Sequence, residues 1–124
     1  GGVFRVAVPD LAKLVDAYAM PDGPVAAALG ETQRELREYV GTAYKDLPAA
    51  LRFSVICFGD NSGSPAYDGH RVIFDREALE WVLLKAGFTD FAVVGPAESR
   101  HSELLKRYHD VEAAEEIVVE VARP

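Results

Sequence analysis

The sequence predicts an α/β fold in which the last strand runs opposite to the others. Residues 4–8 form a short β-prone run, and residues 75–87 carry helix signals and lead into a second β-prone run at 88–94. A helix between two strands is typical of a parallel crossover. A final apolar run at 117–122 follows, and we expect it to return antiparallel to the other two.

The composition fits one globular domain, residues 1–124, and excludes two classes of partner. Of the 124 residues 49% are hydrophobic, and the formal net charge is −7. Nucleic acids and anionic membrane surfaces both attract basic surfaces, so we expect neither as a partner. No run approaches the roughly 20 apolar residues of a membrane span. The single cysteine, Cys57, excludes an internal disulfide and fits a cytoplasmic setting.

Two helical segments are expected after the opening strand. Pro9 ends the strand because it has no N–H to donate, and Asp10 suits the N-cap of a helix. The spacing of apolar residues predicts one buried face for this helix, made by Leu11, Leu14, Val15 and Tyr18. Beyond the Pro- and Gly-containing breaker at 21–24, a looser apolar stripe predicts a second helix over residues 25–44.

The middle of the chain contains one ambiguous segment and one clear helix. Residues 51–58 alternate like a strand, yet Pro48 suits the first turn of a helix and Gly59 its end, so both interpretations stay open. Asp75 and Gly87 are typical N-cap and C-terminal residues of the later helix. Its predicted buried face consists of Leu79, Val82, Leu83 and Ala86.

The loop at 59–69 allows several chemical interpretations. Its glycines could cradle a phosphate, but the lysine of a P-loop is absent. Ser62 could be a nucleophile with His101 or His109 as base and Asp110 as orienting carboxylate, although lipase-like esterases place Ser directly after Asp and here an Asn intervenes. An ordinary surface loop is the simplest reading. No histidine pair has zinc-site spacing, so no metal is predicted.

His70 is the most promising candidate in this region. It lies shortly before the clear helix, in a loop that also contains Tyr67 and Asp68. Open α/β folds place ligand-contacting side chains in such loops. A histidine titrates near neutral pH and can therefore serve as a general base, although a structural role for His70 is equally compatible with the sequence.

Blocks along most of the chain resemble class I S-adenosylmethionine-dependent methyltransferases. Residues 1–11 resemble the segment after the family's L-x-P-G-G turn, which forms the fifth strand. In one bacterial branch an F-G pair, a Y-D-x-H block and an F-D-x-x-x-L run ending in A-G-F follow in that order, as they do here at 58–59, 67–70 and 74–88. Residues 117–121 resemble the closing strand.

The resemblance implies a partial Rossmann-like methyltransferase sheet with flanking helices. The strands would be the family's strands five, seven and six in spatial order, with the last strand reversed between its neighbours. Residues 11–74 would be a substrate-side insertion. The family's glycine-rich turn and acidic residue, which bind S-adenosylmethionine, do not occur in the 124 residues. The chain therefore resembles a C-terminal half that is inactive alone.

The resemblance also implies site residues and partners. His70 would be the base, Tyr67 and Asp68 would position a small-molecule or sugar-like acceptor, and Pro9 and Asp10 would border the pocket. The opening strand, from Phe4 to Val8, would expose one edge to a missing N-terminal half or to a second copy in a homodimer. The alternatives are a non-catalytic binding or assembly module with this fold and, less favoured, a serine hydrolase that uses Ser62.

Overall fold

The computed structural model describes residues 1–33, 38–39, 41–58, 72–95, 98–105 and 114–124. This part contains a three-stranded antiparallel sheet, a small hairpin and five helices, which confirms a mixed α/β class. The elements in chain order are β1 (Val3–Pro9), α1 (Leu11–Ala19), α2 (Pro24–Gln33), β2 (Glu38–Tyr39), β3 (Thr42–Ala43), a 3-10 turn (Tyr44–Asp46), α3 (Ala49–Phe58), α4 (Arg76–Lys85), β4 (Thr89–Val94), α5 (Ser102–Leu105) and β5 (Glu116–Ala122).

The last strand forms the middle of the main sheet. The spatial order is β1-β5-β4, and β5 is antiparallel to both neighbours. Two strands that are each antiparallel to a third must run in the same direction, so β1 and β4 point the same way. The register between β1 and β5 is continuous from the pair Val3 and Ala122 to the pair Pro9 and Glu116.

The two faces of β5 have different surroundings because side chains alternate along a strand. Ile117, Val119 and Val121 are buried and pack with Leu79 and Leu83 of α4, which forms the core of the sheet half. The opposite face of β5 contains the buried Val118 and Glu120. A charged residue therefore lies inside the protein on the face away from α4.

A second core lies among the helices of the first half. It contains Leu14, Leu29, Tyr44, Leu47, Val55, Ile56 and Cys57. Ile73 and Ala114 pack against this core. The backbone also joins the two halves, because the Leu11 N–H donates to the Phe74 carbonyl at 2.9 Å. The helical core occupies part of the predicted insertion at 11–74.

The predicted helix over 25–44 is wrong in its second half. α2 ends at Gln33, and β2 and β3 then pair Glu38 with Ala43 and Tyr39 with Thr42. Gly41 lies between these strands with a φ of 72°, a left-handed conformation that glycine adopts readily and that interrupts a helix. The loose apolar stripe thus reflected a helix followed by a hairpin.

The ambiguous segment at 51–58 is helical. Its helix, α3, is preceded by Pro48, whose carbonyl accepts hydrogen bonds from the Leu51 and Arg52 N–H groups at 2.9 and 3.0 Å. Val55, Ile56 and Cys57 are buried at consecutive positions. Consecutive burial does not fit the alternation of a half-buried strand, so the alternation in the sequence was misleading.

Two predicted helix faces are only partly buried. In α1 Leu14 is buried, but Val15 and Tyr18 are exposed. In α4 Leu79 and Leu83 are buried, whereas Val82 and Ala86 are exposed. Each helix packs on a single side, so its buried stripe is narrower than the set of apolar residues at i+3 and i+4 spacing. The predicted caps are confirmed: Asp10 accepts from the Ala12 N–H and Asp75 from the Ala78 N–H.

Candidate functional site

The sequence-predicted site residues fall into two groups. Tyr67, Asp68 and His70 lie outside the described residues, as do Ser62, His109 and Asp110. Pro9 is the last residue of β1, and Asp10 follows it directly. His101 is described, and its backbone N–H and carbonyl both hydrogen-bond with the Ser99 hydroxyl.

Asp10 lies in a cleft at the ends of β1 and β4. The cleft has a volume of about 510 Å³ and is lined by Asp10, Lys13, Arg76, Val93, Val94, Gly95, Glu116, Ile117 and Val118. The carboxyl ends of the two co-directional strands both reach it. Ligands of open α/β sheets bind at this edge of the sheet, so we refer to this cavity as the strand-end cleft.

A second cavity of about 400 Å³ adjoins the strand-end cleft through shared residues. Asp10 and Arg76 line both cavities, and Asp75, Glu77 and Glu80 line only the second. Asp10 and Asp75 cap α1 and α4 respectively. The amino-terminal N–H groups of both helices are thus partly satisfied by the protein itself.

Asp10 has a structural task in addition to its place in the cleft. Its Oδ1 accepts from the Ala12 N–H at 3.0 Å, and its own N–H donates to the Glu115 carbonyl at 2.6 Å. A short parallel bridge also pairs its backbone with Phe74. These bonds fix the corner between β1 and α1, so the edge of the cleft is held rigidly.

The strand-end cleft contains cationic side chains. The Lys13 ammonium donates to the Glu116 carbonyl at 2.6 Å, which fixes its position at the start of β5. Arg76 is exposed in the first turn of α4 and lines both cavities. The lining thus combines the cationic Lys13 and Arg76 with the acidic Asp10 and Glu116, which suits a polar molecule that carries both hydrogen-bond acceptors and donors.

A buried ion pair fixes the loop at one side of this cleft. The Arg5 guanidinium donates to Glu120 at 2.8 Å and to the Glu98 carbonyl at 2.6 Å, with a longer contact to the Gly95 carbonyl at 3.4 Å. Gly95 lines the cleft. Arg5 therefore ties the segment after β4 to the face of the sheet opposite α4.

The loop also supplies hydrogen bonds to the same carboxylate. The Ser99 hydroxyl and the Arg100 N–H donate to Glu120, the latter at 3.0 Å. Burial by itself raises the pKa of Glu120, but the hydrogen bonds from Ser99, Arg100 and Arg5 and the charge of Arg5 outweigh it, so the pKa is lowered from its ordinary value. Glu120 is therefore ionised at neutral pH.

This network was not predicted, although the sequence contains a signal for it. Arg5 and Glu120 each stand inside an otherwise apolar strand run. A charge within such a run requires a partner when it is buried. The antiparallel register places the two residues opposite each other.

Cys57 is a buried, free thiol. Burial raises the pKa of the Cys57 thiol, which keeps this thiol protonated. Within the described ranges, no group of three or more His, Cys, Asp or Glu side chains is placed to hold a metal ion. None of the helices in the described part is long and apolar enough to cross a membrane.

Comparisons with known proteins found no match for this chain. No protein-family model, no curated protein and no solved structure matches the chain.

Proposed function

We propose that this chain is the substrate-side half of an S-adenosylmethionine-dependent methyltransferase that acts on a small-molecule or sugar-like acceptor. The strand arrangement carries the proposal: β5 lies between β1 and β4 and is antiparallel to both. This is the arrangement that the resemblance implies for the family's strands five, seven and six. The helical core after β1 supports a substrate-side insertion.

The strand-end cleft is the proposed acceptor pocket. Its volume of about 510 Å³ falls within the roughly 300–1,000 Å³ of small-molecule sites. Its lining combines the apolar Val93 and Val94 with Asp10, Lys13 and Arg76. Such a surface can hold an acceptor that has one apolar part and several hydroxyl groups. Pro9 and Asp10 would border it, as the resemblance implies.

The described residues do not fit S-adenosylmethionine itself. The family's glycine-rich turn and ribose-binding acidic residue follow its first and second strands, whereas the resemblance assigns β1 as the fifth strand. Asp10, the acidic residue after β1, uses a carboxylate oxygen to cap α1. We therefore place the cofactor on another part of the functional protein. The present chain would align the acceptor and exclude water, which are the main tasks in methyl transfer. His70 would take the proton of a poorly ionised acceptor, with Tyr67 and Asp68 positioning that group.

The open edge of β1 is the proposed contact with the cofactor half. Within the described part, β1 has β5 as a neighbour on one side and no strand on the other. An open strand edge favours pairing with another strand. A second copy of the chain, in a homodimer, is the alternative occupant. We further propose a cytoplasmic setting, which the single cysteine favours.

The test expresses the whole reading frame that contains these 124 residues. We expect the product to bind S-adenosylmethionine and to transfer its labelled methyl group to a small hydroxylated acceptor. His70→Ala should lower kcat by about 10²–10⁴-fold, the usual contribution of a general base, while the melting temperature stays unchanged. His101→Ala is the matched control and should leave kcat unchanged.

Two outcomes would contradict the proposal. A product that does not bind S-adenosylmethionine would favour a non-catalytic binding or assembly module. Fluorophosphonate labelling at Ser62 would instead indicate a serine hydrolase. Binding and methyl transfer with an unaffected His70→Ala variant would retain the methyltransferase and remove His70 from its mechanism.

A further inference from the structure

The backbone groups of β1 are divided between its two sides in a regular way. Just before β1, the Gly2 carbonyl accepts from the Arg123 N–H at 2.8 Å, and just after β1 the Asp10 N–H donates at 2.6 Å to the residue that precedes β5. Successive residues of a strand direct their N–H and carbonyl groups to opposite sides. The even-numbered residues of β1 therefore bond to β5, and the backbone groups of Val3 and Ala7 point to the other side.

The row of the sheet on that other side is occupied by the chain itself only at the end of β1. Phe74 forms a parallel bridge with Asp10, and its carbonyl accepts from the Leu11 N–H at 2.9 Å. Pro9 has no N–H to direct to this side, as suits an edge strand. Within the described part no strand lies beside residues 3–8 in this row, and the row ends at the strand-end cleft.

The two edges of the sheet differ in their suitability for pairing. At the β4 edge the register with β5 is interrupted, Asp90 has a φ of 57°, and the Arg100 guanidinium donates to both the carboxylate and the carbonyl of Asp90 at 3.0 Å. Such irregularity hinders the addition of a strand. β1 keeps an unbroken register, and it presents the ring of Phe4, which stacks on Phe88 and is 45% exposed.

The position of the strand-end cleft indicates which direction an added strand should have. A strand parallel to β1 brings its carboxyl end to the cleft, the edge at which open α/β sheets bind ligands. Methyl transfer requires the cofactor and the acceptor to meet there. A second copy related by a twofold axis would instead pair its β1 antiparallel, and its own cleft would then lie at the opposite end of the joined sheet.

We propose that the strand-end cleft is shared with the cofactor half, which adds a strand parallel to β1. This strand bonds to the outward groups of Val3 and Ala7, covers the ring of Phe4 and ends at the cleft beside Asp10. The residues that follow it complete the acceptor pocket. The inference rests on the proposed function for the identity of the partner, whereas the strand itself is tested without methyl transfer.

Amide hydrogen exchange in the isotope-labelled product of the whole reading frame tests the strand. We expect the Val3 and Ala7 N–H groups to exchange as slowly as those of Phe4, Val6 and Val8, which bond to β5 and are the internal control. An unpaired edge would make the exchange of Val3 and Ala7 faster than the control by roughly 10²-fold, because protection follows the hydrogen bonding of each group. That result would overturn the proposal.

Ala7→Pro removes one outward N–H and keeps the even-numbered bonds to β5. It should speed exchange at Val3 by about 10-fold or more and leave Val6 unchanged, since only the added strand loses a bond. Ala7→Ser keeps the N–H and is the matched control, which should leave both rates unchanged. Equal rates in the two variants would contradict the added strand.

Three further outcomes separate the partners. Slow exchange at Val3 and Ala7 that becomes fast on dilution would indicate a second copy and overturn the proposal. Close Hα–Hα contacts between β1 and the added strand, which are typical of antiparallel pairs, would overturn the parallel direction. Slow exchange in a product that does not bind S-adenosylmethionine would support the added strand and contradict only the methyltransferase.

Discussion

Arg5→Met is expected to lower the free energy of unfolding by about 3 kcal/mol, the lower end of the range for removing one member of a buried ion pair. The Arg5 and Glu120 side chains are 5% and 0% exposed, and their charged atoms are 2.8 Å apart. Methionine fills a similar volume but leaves the Glu120 carboxylate without its buried cation. The hydrogen bonds from Ser99 and Arg100 remain, so the loss is not the full cost of an isolated charge.

Urea unfolding at pH 7 measures this effect, and the double variant Arg5→Met/Glu120→Leu is its control. Removing both charges restores much of the lost stability because no uncompensated charge stays buried. Arg100→Gln, at an arginine that is partly exposed and contacts the same carboxylate at 3.6 Å, should cost less than Arg5→Met. A loss below about 0.5 kcal/mol for Arg5→Met, the size of an ordinary surface substitution, would contradict the role assigned to the pair.

The same network predicts a pH dependence with a definite sign. Because the pKa of Glu120 is lowered on folding, its contribution is complete above the ordinary value of 4.5 and is lost as the pH falls through the lower folded pKa. Wild type should therefore exceed Glu120→Gln in stability at pH 7, and the difference should shrink below pH 4.5. A difference that stays constant from pH 7 to pH 3 would contradict this assignment.

Local chemistry made the ends of the elements predictable. Asp10 and Asp75 cap α1 and α4 with their own side chains, and Gly87 has a φ of 90° just beyond α4. These signals act within a few residues and need no tertiary partner. The sequence also predicted that Asp10 follows the end of a strand. In the structure Asp10 lines the strand-end cleft.

Features that depend on distant partners were not predictable in the same way. Whether Val15 and Val82 are buried depends on which side of the helix meets another element, and both are exposed. β2 and β3 have only two residues each, which is too short for the alternation of apolar and polar residues to show in the sequence. The strand-end cleft combines residues from 10 to 118 and has no local motif. Such sites become visible only when the tertiary packing is known.

Leu29→Ala is expected to lower the free energy of unfolding by about 2–5 kcal/mol, the usual cost of removing a buried leucine side chain. Leu29 is 2% exposed and belongs to the helical core. The buried side chains of α2 are Ala26 and Leu29, so Leu29 is the only large one that docks this helix within its described part. The same change at Leu84, which is 47% exposed on α4, is the matched control and should cost less than about 1 kcal/mol.

The same variant tests whether the two cores unfold as one unit. Trp81 lies on α4 in the sheet half, so its fluorescence follows that half, whereas far-ultraviolet circular dichroism follows all helices. The backbone bonds that Asp10 and Leu11 make with Glu115 and Phe74 join the halves, and Ile73 and Ala114 extend the helical core toward the sheet. We therefore expect Leu29→Ala to shift both signals by the same amount, as a two-state transition requires. A shift in circular dichroism with an unchanged Trp81 transition would instead mean that the helical half opens alone.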